Sequence, residues 1–321
     1  MRAAVVRVLG HPPEFGEFSD PEAVPREAIV SMTASAVNPL TLSRASGTHY
    51  SAQTPTPFVA GVDGVGRTED GRRVYVPGTR PPFGTLAERA PSIAAQLVPL
   101  PDGLSDTLAA AIAIPGVSCW TPLVYRAPIR PGESVLVHGA TGAAGRMAIQ
   151  IAKHLGARAV VATGRNRQKL AALKDLGANR VIPLDQSAEA ISAEVRSAAR
   201  EFQVGVVIDY LWGPSAPAVI AGLGGPGAPR GPTPVRYVQV GAIAGPTITL
   251  ESVPLRSSGL EILGSGIGSS SAEVFLESLR NMFAATVSAG FRLDTEVRPI
   301  SEIARWWGTT GEERRLVFSI R

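Results

Sequence analysis

The sequence predicts an α/β protein in which a doubly wound parallel-sheet domain is joined to a β-rich domain, and three observations carry that prediction. From Glu133 onward, apolar runs without alternation are separated by amphipathic segments, as a parallel sheet covered on both faces requires. Before residue 100 the text is different: short strand-like runs punctuated by Pro, Gly and Asp. A Gly-rich turn, residues 138–145, joins an apolar strand directly to an amphipathic helix.

The elements follow in order. AAVVRVL, AIVSMTASAV, RRVYVPG and IAAQLVPL read as strands of an irregular, mostly antiparallel domain between Ala3 and Leu100. Between Asp102 and Arg126 an Ala-rich helix, LSDTLAAAIAI, is expected to break at Pro115-Gly116 and give way to a second short helix, forming a bridge. SVLVHG, ARAVVATG, VIPL and VGVVIDYL then alternate with helices in GAAGRMAIQIAKHLG, NRQKLAALKDLG and near Ala188 to Glu201. VRYVQVG and GLEILGSG continue the sheet, and the segment from about Thr295 reads as a return to the first domain. GLGGPGAPRGPTP, from Gly222 to Pro234, is too rich in Gly and Pro for a helix or central strand and is expected to be a mobile surface loop.

Composition narrows the function classes. The chain has 321 residues, 45% hydrophobic and 18% charged, which excludes a disordered or fibrous protein. Its 31 Lys and Arg against 27 Asp and Glu leave a net charge of +4 with no basic block, so nucleic acid is not an expected partner. The single cysteine, Cys119, excludes an intrachain disulfide and a four-cysteine zinc site. No apolar leader opens the chain, and Leu108 to Val117, the longest apolar stretch, is too short to span a bilayer, so a cytoplasmic protein with no membrane partner is expected.

The turn His138-Gly139-Ala140-Thr141-Gly142-Ala143-Ala144-Gly145 carries the chemistry. Strand, turn and helix in this order form a dinucleotide fingerprint: Thr141, Gly142, Ala143 and Ala144 bring backbone N–H groups to a pyrophosphate, and Gly145 lets helix and strand approach. A tight turn that binds nothing is the plain alternative. The second strand ends Gly164-Arg165-Asn166-Arg167, where an NAD-specific site would place an acid. Two guanidiniums suit a 2′-phosphate, so NADPH is expected, although one arginine can equally solvate the next helix. Asp209, closing VVID, is expected to cap a loop, while Tyr210 and Trp212 either wall the adenine or fill the core.

These motifs together resemble the zinc-independent quinone oxidoreductases, the zeta-crystallin-like branch of the medium-chain dehydrogenase/reductase superfamily. SAVNPLTLSRASGTHY, PFVAGVDGVGR, GTLAER, AIPGVSCWTPL, VLVHGATGAAGRMAIQIAKHLGA, DLGANRVI, VVIDYLWG and VQVGAIAG carry the likeness over essentially the whole chain. The resemblance implies a GroES-like catalytic domain from residues 1–120 and 256–321 around a Rossmann domain at 121–255, and a homodimer. Zinc-dependent relatives ligate metal with Cys, with His in a Gly-His-Glu triplet, and with a further Cys. Here Asn38, Gly61-Val62-Asp63 and the neighbourhood of Gly116 stand in those places, no metal site is expected, and Cys119 reads as a small packed residue. The resemblance places Asn38 beside the nicotinamide and the substrate, together with an aromatic residue of the following loop. The reading Ser46-Gly47-Thr48-His49-Tyr50 leaves open whether His49 or Tyr50 faces the substrate. Ser118 corresponds to a hydroxyl near the carboxamide, and Gly241-Ala242 and Gly264-Ser265 to segments passing the nicotinamide.

Without a Lewis acid, hydride transfer to a conjugated acceptor is easier than to a simple ketone, because charge delocalises toward oxygen. The expected activity is NADPH-dependent reduction of a small-molecule quinone or α,β-unsaturated carbonyl. An enoyl or 2-alkenal reductase of a biosynthetic pathway and a non-catalytic NADPH-binding protein are the alternatives.

Overall fold

The structure is a computed structural model and describes residues 1–49, 54–225, 227, 228, 234–309 and 314–320. It divides into two compact units, Met1–Ala113 with Leu279–Arg321, and Ile114–Ser278.

The first unit opens with β1 (Arg2–Val6), β2 (Glu14–Glu17), β3 (Glu27–Ala36) and helix α1 (Pro39–Ala45). It continues through β4 (Phe58–Val59), β5 (Gly64–Arg67), β6 (Arg73–Val76), β7 (Arg89–Ile93) and β8 (Val98–Pro99). Helix α2 (Asp106–Thr121) follows. The second unit holds β9 (Ser134–His138), α3 (Ala143–His154), β10 (Val160–Gly164), α4 (Arg167–Ala172), β11 (Arg180–Pro183) and α5 (Ala188–Phe202). After these come β12 (Val204–Asp209), α6 (Ala216–Leu223), β13 (Arg236–Gln239), α7 (Ser252–Ser258) and β14 (Glu261–Gly264). Helix α8 (Ala272–Ala289) leads back to the first unit and to β15 (Thr295–Pro299) and β16 (Arg315–Ser319).

In the first unit the strands form a small sheet, β2-β1-β4, and a larger one, β15-β16-β3-β5-β6-β8, with β7 also on β3. Pairing is antiparallel except between β15 and β16. Alternation along β3 explains its placement: Val30, Met32, Ala34 and Ala36 are buried while Ser31 and Thr33 are not. Tyr75 and Phe283 meet edge to face in this core at 5.5 Å. IAAQLVPL departs from the expected strand, because Ala94–Gln96 is a 3-10 turn that separates Ile93, the end of β7, from Val98–Pro99 of β8. Two alanines and a glutamine carry no β-branched or aromatic side chain to favour an extended backbone.

The second unit is a six-stranded sheet in the order β11-β10-β9-β12-β13-β14, parallel throughout. Every residue of β9, β10 and β12 is buried, which is why these runs show no alternation. Counted along the chain the order is third, second, first, fourth, fifth, sixth, so the chain reverses direction between β9 and β12, the crevice where such sheets bind dinucleotides. The architecture is therefore α/β with a Rossmann sheet and a GroES-like mixed-sheet unit, as expected.

Two expectations about α2 and α6 need correction. Helix α2 runs through Pro115 without a break and continues as a π-helical turn over Pro122–Arg126. Proline removes one N–H bond, but Ala109–Ala113 are almost fully buried, and that packing holds the helix together. The combined run Asp106–Arg126 is thus, by length and composition, long enough to cross a membrane, though it is mostly buried within the protein. The Gly/Pro-rich loop begins later than Gly222, which lies in α6, where a β-carbon would come within 2.7 Å of the Ser192 carbonyl. Most of the remainder of that loop lies outside the described residues.

Candidate active site

Of the expected cofactor residues of the second unit, 141–144, 164–167, 241–242 and 264–265 lie at or just after the C-terminal ends of parallel strands, on one edge of the sheet, while Ser118 lies in α2. After β9, Gly139 adopts φ +88°, a left-handed conformation that favours glycine. Gly142 is the N-cap of α3 and offers no side-chain cap, so the first N–H groups of the helix, on Ala143 and Ala144, keep no capping partner. Gly145 is demanded by the packing: a β-carbon there would lie 2.4 Å from Ala140 Cα. Thr141 sits beside Gly164, whose absent β-carbon would meet its Cγ2 at 2.7 Å. Strand, turn and helix therefore stand in the geometry of an anion cradle.

The arginine pair is separated by the structure. Arg167 Nε donates to Asp185 Oδ2 at 2.9 Å, and Asn166 caps α4 by accepting from the Lys169 N–H at 2.9 Å. The ion pair holds the exposed Asp185 carboxyl below its usual range and raises Arg167 further. Arg165 is exposed and has no ion-pair partner among the described residues. Sequence reading found no acid at the end of the second strand but missed Asp185, which follows the neighbouring strand; pairing of β10 with β11 in register, Gly164 opposite Pro183, brings it there.

Asp209 is buried with both oxygens engaged: Oδ1 accepts from the N–H groups of Leu211 (2.7 Å) and Trp212 (3.0 Å), and Oδ2 from the Tyr237 hydroxyl (2.7 Å). It clamps the turn after β12, where Trp212 takes φ +53° and lies beside Tyr237. Gly241 donates its N–H to the Asp209 carbonyl at 3.0 Å, and a side chain there would strike the Tyr210 carbonyl. Ala242 is exposed, Gly264 is exposed and accepts from Arg126 Nε at 3.1 Å, and Ser265 donates its N–H to the Gln239 carbonyl at 2.9 Å.

Ser118 Oγ donates to the Pro115 carbonyl at 2.7 Å and lies 3.3 Å from the Tyr210 hydroxyl. Its hydrogen is committed, so what it offers a ligand is acceptance. Cys119 beside it is fully buried and its thiol is pushed up by burial, which makes it a packed, unreactive residue. His138 was singled out by no spacing, yet its ring bridges Thr163 Oγ1 (2.7 Å) and Ser215 Oγ (2.9 Å), tying β9, β10 and the turn before α6. Burial lowers its pKa and keeps the ring neutral.

In the first unit Asn38 is buried at the N-cap of α1. Its Oδ1 accepts from Thr41 N–H (2.9 Å) and Thr41 Oγ1 (3.2 Å), and its Nδ2 donates to Asp63 Oδ1 at 3.2 Å. Asp63 Oδ2 accepts from the Tyr75 hydroxyl at 3.1 Å. Burial raises the Asp63 carboxyl to about 6, against the pull of the Arg315 charge and these two hydrogen bonds. Neither Asp63 nor Tyr75 was marked as a site residue by sequence; they lie 25 and 37 positions after Asn38, and only the fold assembles them. His49 is half-buried with its N–H on the Ser43 carbonyl at 3.1 Å, and burial and Arg44 lower its pKa. Tyr50 lies outside the described residues.

Zinc does not fit these positions. Among the described residues no three of His, Cys, Asp and Glu gather. Val62 is buried and apolar, and both Asp63 oxygens are occupied by Asn38 and Tyr75.

Known proteins complete the picture. Residues 143–284 match the family model described as zinc-binding dehydrogenase. The rat (Rattus norvegicus) quinone oxidoreductase is 33% identical over 224 residues, covering 66% of this chain and 66% of that protein. The mycocerosic acid synthase-like polyketide synthase of Mycobacterium tuberculosis is 31% identical over 219 residues, 65% of this chain but only 10% of that far longer protein. Among solved structures, the quinone oxidoreductase from Thermus thermophilus, determined also as its complex with NADPH, superposes with a TM-score of 0.81 at 28% identity over 100% of both chains. Gly-turn, strand order, mixed-sheet unit and these likenesses agree: the chain belongs to the zinc-independent quinone oxidoreductase branch of the medium-chain dehydrogenase/reductase superfamily.

Proposed function

We propose that the protein is an NADPH-dependent oxidoreductase that transfers hydride to a quinone or an α,β-unsaturated carbonyl. The observation that carries this reading is the uncapped N-terminus of α3 at the β9/β12 reversal, with the Arg165 guanidinium at the end of the adjacent strand. The Thermus thermophilus relative was solved with NADPH, which supports the same cofactor here.

The bound nicotinamide supplies the hydride; the residues supply position and charge. The N–H groups of Ala143 and Ala144 receive the pyrophosphate, and Arg165 pairs with the 2′-phosphate. Ser118 Oγ accepts from the carboxamide. Asn38 keeps one Nδ2 hydrogen with no partner among the described residues and donates it to the acceptor oxygen as negative charge develops there. His49 or Tyr50 orients the same oxygen or delivers the proton. The cofactor-facing segments Gly241-Ala242 and Gly264-Ser265 border the nicotinamide. A homodimer through β14, the outer strand of its sheet, and a cytoplasmic setting go with this reading.

Spectrophotometric NADPH consumption with 1,4-benzoquinone, a 2-alkenal and an enoyl thioester tests it. Turnover of any of the three supports the reading, and the pattern among them separates quinone from enoyl reduction. Tight NADPH binding with no turnover across the panel replaces it with a non-catalytic NADPH-binding protein.

A further inference from the structure

We propose that Asp63 is a positioning residue: its carboxylate fixes the plane of the Asn38 amide, leaving a single defined N–H to meet the substrate oxygen. The proposal rests on the reading above, in which Asn38 faces the substrate.

The two cap bonds from Thr41 hold only the oxygen end of the Asn38 side chain. The nitrogen end is held by Asp63 Oδ1, a pure acceptor when ionised, which allows one orientation of the amide and no flipped one. Asp63 is itself held from several sides. Its backbone carbonyl accepts from Ser35 Oγ (2.8 Å) and Thr85 Oγ1 (2.7 Å), and those two hydroxyls lie 3.0 Å apart. Its second carboxylate oxygen accepts from Tyr75, a fully buried ring packed on Phe283. The turn before it requires Gly61 at φ +99°, where a β-carbon would come 2.5 Å from Thr85 Oγ1. The Arg315 charge offsets the burial of the carboxylate.

Stability alone gives no reason for a charge here, since a buried carboxylate costs more than an aliphatic side chain of similar size. Orientation does, because displacement of a hydrogen-bond donor by a fraction of an ångström weakens the interaction that matters in the transition state. Asp63 touches no substrate in this account and acts only through Asn38.

A double-mutant cycle decides it. Asn38→Ala, Asp63→Leu and the double variant are assayed with NADPH and the acceptor that the wild type reduces best, alongside NADPH affinity by fluorescence titration. Asp63→Leu is expected to lower kcat about 10- to 100-fold with NADPH Kd within about twofold, and the double variant to lose no more than Asn38→Ala alone. Losses that multiply, or an unchanged kcat in folded Asp63→Leu, would overturn the proposal. Asp63→Asn keeps the shape should Asp63→Leu not fold; its carbonyl can still accept from Asn38, so a smaller but equally non-additive loss is expected, and additivity counts against the idea. If the wild type reduces none of the acceptors, the functional reading fails by itself. The positioning then stands or falls on side-chain amide NMR: Asn38 protons protected from exchange in the wild type and exposed in the Asp63 variants support it, and equal exchange rates overturn it.

Discussion

At the scale of single residues, a pattern and a partner divide the work. Arg165 and Arg167 are equivalent on paper, but Asp185 pairs with Arg167 and leaves Arg165 with no ion-pair partner among the described residues, which suits it to the proposed phosphate contact. Arg165→Ala is therefore expected to raise the NADPH Kd by about tenfold or more while changing the NADH Kd little, as loss of one charge-assisted phosphate contact implies. Arg167→Ala is expected to affect the two cofactors about equally. Parallel titrations of both variants with both nucleotides check this. Asp63 supplies a pH effect whose sign follows from its raised carboxyl. The folded protein binds this proton up to about pH 6, the unfolded chain only near 3.8, so the group's contribution is greatest at low pH and is lost as pH rises through 6. That loss is roughly 3 kcal/mol for a fully buried group; Arg315, lowered only to about 10, stays charged throughout. The stability difference between wild type and Asp63→Asn, from chemical denaturation between pH 4 and 8, is expected to change between about pH 4 and 6 and to level off above, and to be flat throughout if the carboxyl titrates normally. A short motif singled out Asn38 as a candidate; nothing local points to Asp63 and Tyr75, since their hydrogen bonds with it and with each other exist only where separate segments meet.

At the scale of elements, periodicity was the reliable signal. The buried strands β9, β10 and β12 and the amphipathic α3 and α5 stand where apolar runs and helical spacing put them. Gly145 shows why the turn is more than a motif, because through it α3 lies directly against the backbone of Gly139 and Ala140, just after β9. Gly145→Val is expected to destabilise the protein by about 1–3 kcal/mol through overpacking and to weaken NADPH binding with it, read by denaturant midpoint and by nucleotide titration. Pro115 misled for the opposite reason. Proline is a local veto, and the veto was outweighed by burial of the helix around it, which no local rule contains. The centre of IAAQLVPL, Ala94–Gln96, failed as a strand because two alanines and a glutamine do not select an extended backbone, while Ile93 and Val98 on either side lie in strands.

For the whole molecule, the donor set predicts metal-independent behaviour: dialysis against EDTA is expected to leave NADPH-dependent turnover unchanged, and elemental analysis to find less than one zinc per chain. Loss of activity restored by zinc would contradict it. The proposed dimer places Ile262, 36% exposed on β14, at an open sheet edge. Ile262→Lys is expected to shift the sedimentation coefficient from dimer to monomer without altering NADPH affinity. By itself the sequence determined the fold class and the strand-turn-helix around residues 138–145, because each is written in residues adjacent along the chain: apolar runs without alternation, and a Gly-rich turn between a strand and an amphipathic helix. Only the tertiary structure decided that Arg167 pairs with Asp185, which atoms of Ser118 and Asn38 are already engaged, and that Asp63 holds the Asn38 amide nitrogen. Those are questions of hydrogen-bond partnership across strands and turns, and a buried polar group's partners are set by the fold that closes around it.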